Sequence, residues 1–321
     1  MRQLVLIAVK LGVSVALLYF AISRMNVAAI GERLTNLNPA WIVAAIAIAL
    51  LQTGLGAIRW QRVAGVCGAE LATRQALRFN MIAAFFNQVL PSTVGGDAAR
   101  IWLLGGTGAG WWKATYSVLL DRFIGVLALA VFVSVGLYWS FALIENAVGR
   151  VVLLIVGLGS IAAGAAFMAL GRWRVLEQWK LTRRLAEMAA LARRILFSRR
   201  TGPPVMMLSL LIHLLTASIA WSLAHATAAQ FEFLHALLLI PPVMLIATVP
   251  ISIAGWGVRE SALVLAFSYA GLQESDALIV SVLLGGVMFV VGAIGGLVWL
   301  ASPVSLRISA AWKSEQASPS P

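Results

Sequence analysis

The sequence predicts an all-α polytopic membrane protein with about six full transmembrane helices and two re-entrant helical hairpins in an inverted-repeat-like arrangement. Three observations carry the prediction: sparse charge, apolar runs of spanning length, and two such runs broken by proline and glycine. Apolar residues make up 61% of the 321 and charged residues 11%, with a mean hydropathy of +0.93. A water-facing surface needs about 25% charged residues. Six runs, Leu4–Ile22, Trp41–Ile58, Thr115–Trp139, Val151–Gly171, Val205–Ala224 and Leu278–Ala301, approach or exceed the ~18 residues that cross a hydrocarbon core as a helix. None shows the strict alternation of barrel strands. Leu4–Ile22 is expected to be a retained first helix, because Lys10 interrupts it and no clear cleavage site precedes Arg24.

Other features exclude alternatives. Trp41, Trp60, Trp139, Trp173, Trp221 and Trp299 fall near the ends of spans, as in an interfacial aromatic belt. The net charge of +12 sits beside spans, so orientation and anionic lipid account for it better than nucleic acid. One cysteine, Cys67, and three scattered histidines leave no disulfide framework and no metal-ligand spacing. No cofactor motif or catalytic constellation stands out. Gly105-Gly106-Thr107-Gly108 lacks the lysine of a nucleotide-binding loop and reads as a turn.

Two further apolar regions are broken. Residues 76–104 are interrupted at Pro91, Gly95 and Gly96, and residues 235–270 at Pro250, Gly255 and Gly257. Proline removes a helical donor and glycine opens other backbone conformations, so each region reads as helix, break, helix. Such breaks survive at membrane depth only against protein or a wet cavity. Charge bias sets the topology. Nine basic residues between Arg172 and Arg200 mark that linker as cytoplasmic, as do Arg59, Arg62, Arg74 and Arg78 for the preceding loop. Both are satisfied if the first broken region enters and leaves on the cytoplasmic side and the second on the outer side. Pro91 to Arg100 and Pro250 to Arg259 share a Pro-x8-Arg pattern; two Gly/Pro-interrupted segments at corresponding places point to an inverted-repeat carrier, the alternative being coincidence in a Gly-rich membrane protein. The organisation is then a membrane half over 1–171, a basic amphipathic linker over 172–203, a second half over 204–302 and a cytoplasmic tail over 303–321. Both termini face the cytoplasm.

Asp97, Arg100, Asp121, Arg122, Arg259 and Glu260 lie within these apolar regions, where each ionised group costs on the order of 3 kcal/mol. They pair internally or bind a ligand, and Asp121 and Arg122 are close enough to a span end to snorkel instead. An arginine fork and the N–H groups after Gly96 and Gly255 suit a phosphate-bearing headgroup. Asp97 could equally cap its helix, and Asp97 and Glu260 could hold the arginines or meet a cationic group.

The motifs Pro91–Arg100, Asp121-Arg122 and Pro250–Glu260 resemble the lysylphosphatidylglycerol synthase transmembrane (flippase-like) family, including the flippase part of the multiple peptide resistance factor. The resemblance implies lipid translocation with a headgroup site at the hairpins, in an inner membrane. It implies anionic or zwitterionic membrane lipids as partners, and allows a homodimer. No aminoacyl-transferase segment lies within these residues, so synthase activity is not expected of them. The alternative is a non-catalytic subunit that presents lipid to a glycolipid or polyprenyl-lipid biosynthetic enzyme.

Overall fold

A computed structural model describes residues 37–90, 94–170, 180–248 and 257–302. These form ten α-helices and no strand. Five are long and apolar enough to cross a membrane: α1 (Pro39–Val66), α4 (Trp111–Leu143), α5 (Ala147–Leu170), α7 (Gly202–Ala226) and α10 (Glu274–Leu300). They match five of the six expected spans, and Leu4–Ile22 lies outside the described residues. The chain is a multi-pass membrane protein.

Each broken region is two short helices: α2 (Thr73–Val89) and α3 (Gly95–Leu104), then α8 (Phe233–Ala247) and α9 (Val258–Tyr269). Pro91, Pro250 and Gly255 lie outside the described residues. The two members of each pair pack on one another. In the first pair the close approach needs glycine, because a Cβ on Gly96 would sit 2.5 Å from the Ala83 carbonyl oxygen. The far ends also meet. Ala76 from the start of α2 shares an apolar cluster with Leu103 and Leu104 from the end of α3. Phe231, just before α8, stacks on Phe267 near the end of α9, with centroids 4.9 Å apart. A π-helical turn, Gly105–Ala109, joins α3 to α4, and Gly108 holds φ 88° inside it.

The turns that lead into the two pairs share local features. After α1, Gly68 adopts φ 73°, and the N–H of Ala69 bonds the Ala64 carbonyl at 2.9 Å. After α7, Ala228 adopts φ 53°, and the N–H of Ala229 bonds the Ala224 carbonyl at 3.0 Å. Glycine fits this left-handed cap and alanine bears strain in it. At the next step the Ala72 N–H donates to Gln75 Oε1, and the Glu232 N–H donates to His235 Nδ1.

Helices α1 and α7 pack antiparallel: the Asn38 N–H donates to the Ala226 carbonyl, Gln52 to Thr216 Oγ1, and Arg59 to Ser209 Oγ. Across the halves, α2 packs on α10 and α8 packs on α4. The linker helix α6 (Lys180–Phe197) turns Ala189, Ala192 and Ile195 inward. Ala192 and Ile195 cluster with Val63, Leu120, Ile124 and Val205, while Leu185 earlier in the same helix stays exposed. Trp60, expected in an interfacial belt, is fully buried and donates its indole N–H to Ser117.

The α2–α10 contact relies on missing side chains. A Cβ on Gly295 would lie 2.0 Å from the Met81 carbonyl oxygen, whereas one on Gly286 would meet nothing within 4 Å. Gly295→Ala is expected to destabilise the protein by about 1–3 kcal/mol through forced separation of the two backbones. Thermal unfolding in detergent would show a lowered midpoint for that variant and an unchanged one for Gly286→Ala.

Candidate functional site

Helix α4 runs 33 residues, so Asp121 and Arg122 lie deep within it, three turns from its start. Asp121 is buried, which removes snorkelling as its explanation. Its two oxygens each meet a guanidinium. Arg59 Nε donates to Oδ1 at 2.8 Å, and Arg100 Nη2 donates to Oδ2 at 2.8 Å. Asp97 forms a second bridge, accepting from Arg122 Nε and lying 3.6 Å from Arg100 Nη1. Arg100 therefore stands between both carboxylates, with its guanidinium carbon 4.2 Å from the Trp60 ring centroid.

The local folding explains the placement. Gly95 opens α3, which puts Asp97 and Arg100 one turn apart on it, both buried. The hydrogen bond that caps α3 comes from across the hairpin: Asn87 Oδ1 accepts from the Gly96 N–H at 2.8 Å. That donor is thus engaged within the protein, and Asp97 is left to pair with arginine. Gly125, one turn beyond Asp121 on α4, leaves room for Arg59, whose Nη1 would be 3.0 Å from an added Cβ.

These groups line a cavity of about 360 Å³, with Asn80, His213 and Thr248 also on its wall. Four expected residues, Asp97, Arg100, Asp121 and Arg122, come together here. Arg259 and Glu260 do not line it. Instead Glu260, fully buried, accepts from the Gly257 N–H at 2.6 Å, from Arg259 Nη2 at 2.7 Å and from Ser281 Oγ at 2.8 Å. Arg259 Nε also donates to Ser281 Oγ at 2.8 Å. This second cluster caps α9 and ties it to α10. The second hairpin reaches the cavity through Thr248 at the end of α8.

Two ionisable wall residues, Arg59 and His213, escaped the sequence reading. Arg59 was expected in a cytoplasmic loop, but α1 continues to Val66 and carries it inside the bundle. The signal was present: Trp60, Val63 and Ala64 keep helical spacing beyond the charge, and all three are buried. His213 lies in α7 and its Nε2 sits 2.9 Å from the Gly125 carbonyl oxygen. An ionisable residue inside a predicted span was itself the signal. Among the described residues no group of His, Cys, Asp or Glu could hold a metal ion.

The profile of the lysylphosphatidylglycerol synthase TM region matches residues 7–296. The chain belongs to this family. The match takes in both hairpins and all five described spans, so the buried charge cluster lies inside the family's membrane region. The family assignment makes the protein's function a membrane, lipid-related one. A comparison with curated proteins finds no match.

Asp121 holds two cations, Arg100 buried and Arg59 partly buried, and its loss leaves both without a full counter-charge. Asp121→Asn is expected to destabilise the protein by roughly 3 kcal/mol or more. Asp97→Asn should cost less, because its partner Arg122 keeps 42% of its side chain exposed and can rehydrate. Paired thermal melts in detergent would test the order; equal midpoints for wild type and Asp121→Asn would contradict it.

Proposed function

We propose that this protein moves a phospholipid or related polar lipid between leaflets, with the headgroup received in the cavity walled by Arg59, Asp97, Arg100, Asp121 and Arg122. The observation that carries the reading is a cavity of about 360 Å³ among spanning helices, with three arginines, two aspartates and a histidine on its wall. Its volume falls within the roughly 300–1,000 Å³ of ordinary ligand sites. That gives room for a headgroup, with the acyl chains left in lipid. Charges retained inside a membrane bundle mark a translocation path more often than they stabilise one. The protein's contribution is binding and reorientation, and no covalent step is invoked.

The topology we propose is six spans and two re-entrant hairpins, oppositely inserted, with both termini on the cytoplasmic side of the inner membrane. Antiparallel α1 and α7 support it. Among the described residues, the first hairpin, α4, α5 and the linker helix α6 lie between them, and the proposed topology keeps α6 on one side of the membrane. A hairpin that returns to its own side leaves α1 and α7 antiparallel, whereas a single crossing would make them parallel. The matched caps after α1 and α7 make these two helices counterparts. Counterparts that run antiparallel agree with a repeat inverted about an axis in the membrane plane.

Reconstitution with an acyl-labelled phospholipid and an impermeant quencher tests the transport reading. Arg100→Gln and Arg122→Gln are each expected to slow leaflet transfer by at least about tenfold, as when one partner of a close charge pair is lost, while the purified variants stay monodisperse. Wild-type rates in both would remove this cavity from the path. For the topology, Thr107→Cys in a Cys67→Ser background should react with an impermeant maleimide from the cytoplasmic face. Reaction from the outer face instead would mean that the first hairpin crosses outright.

A further inference from the structure

The wall of the cavity is unevenly satisfied. Three guanidinium groups, Arg59, Arg100 and Arg122, face two carboxylates, Asp97 and Asp121. Both oxygens of Asp121 are occupied by arginine, and Asp97 lies between Arg122 and Arg100. The negative charge of both carboxylates is thus already offset by arginine, and none is left over for a ligand cation. Arginine has far more to offer, with five N–H donors each. Arg100 Nε is buried with no hydrogen-bond partner. Other polar groups on the wall, Thr53, Asn80, Asn87, Gln88 and Thr248, are uncharged. His213 also lines the cavity and adds no negative charge.

A ligand that completes this wall carries one negative charge and brings oxygen acceptors. One that brings an ammonium group finds, among the described residues, no carboxylate on the wall that is not already paired with arginine, and burial makes an unpaired charge expensive. Building on the translocation reading above, we infer that the cavity selects a lipid whose headgroup is a monoanionic phosphodiester without an amine, and rejects aminoacylated lipid. The distinction is sharp within this family. Lysylphosphatidylglycerol joins two ammonium groups to one phosphate, so its headgroup is cationic overall, whereas unmodified phosphatidylglycerol has the single negative charge the wall lacks.

The test uses the full chain in vesicles with acyl-labelled phosphatidylglycerol, phosphatidylcholine or lysylphosphatidylglycerol as separate probes, and titrations with their dihexanoyl forms in detergent. Phosphatidylglycerol is expected to transfer at least about tenfold faster, and bind at least about tenfold tighter, than lysylphosphatidylglycerol, the effect of one charged hydrogen-bonding group. Gln88→Glu adds a carboxylate to the wall at an exposed position and is expected to shrink that preference towards parity. Arg122→Gln, which brings the wall to zero net charge, should do the same.

Equal or faster handling of lysylphosphatidylglycerol by the wild type would overturn the inference and leave translocation standing. Transfer of none of the probes would overturn translocation, and the dihexanoyl titrations would still decide the charge selection. An undiminished preference in Gln88→Glu, with that variant folded, would show that the wall charge does not set it.

Discussion

The structure depends on one carboxylate holding two guanidinium groups inside the bundle. Asp121 links Arg59 on α1 to Arg100 on α3, and so fixes a full span, a half-length helix and α4 in one register. Ionised groups at membrane depth persist only when paired, and a bifurcated carboxylate pairs two at once. The same arrangement leaves the site one positive charge in excess. The pairing that holds the helices and the excess positive charge therefore come from the same atoms.

The two hairpins share a plan and end differently. Both begin after a left-handed cap, pack their halves together and project an arginine from the second short helix. In the first, Arg100 meets Asp121 on the following span; in the second, Arg259 meets Ser281 on the following span. A serine cannot neutralise an arginine, and the carboxylate comes from Glu260 on the same helix. That exchange closes the second cluster on itself. The first stays open because its carboxylates are supplied across helices that stand around a cavity.

Much of the fold was legible because its determinants are local. Apolar runs of spanning length became α1, α4, α5, α7 and α10, and the glycine- and proline-broken regions became paired short helices. The turn at Gly105–Ala109 was expected from its glycines. Reading the first charge as a span boundary failed at Arg59, since a helix does not stop at a charge that finds a counter-ion. Reading tryptophan as an interfacial residue failed at Trp60, whose indole has a buried acceptor and an arginine stacked on its ring.

By itself the sequence determined the membrane-helical class, the two breaks and the identity of the buried charges, because hydropathy and backbone preference act over a few residues at a time. Which of those charges share a cavity was decided only by the tertiary structure. Asp97, Arg100, Asp121 and Arg122 converge with Arg59 because α1, α3 and α4 pack together there, while Arg259 and Glu260 bond within their own hairpin and to α10. Pairing between groups more than twenty residues apart follows from how helices pack, and no local pattern encodes it.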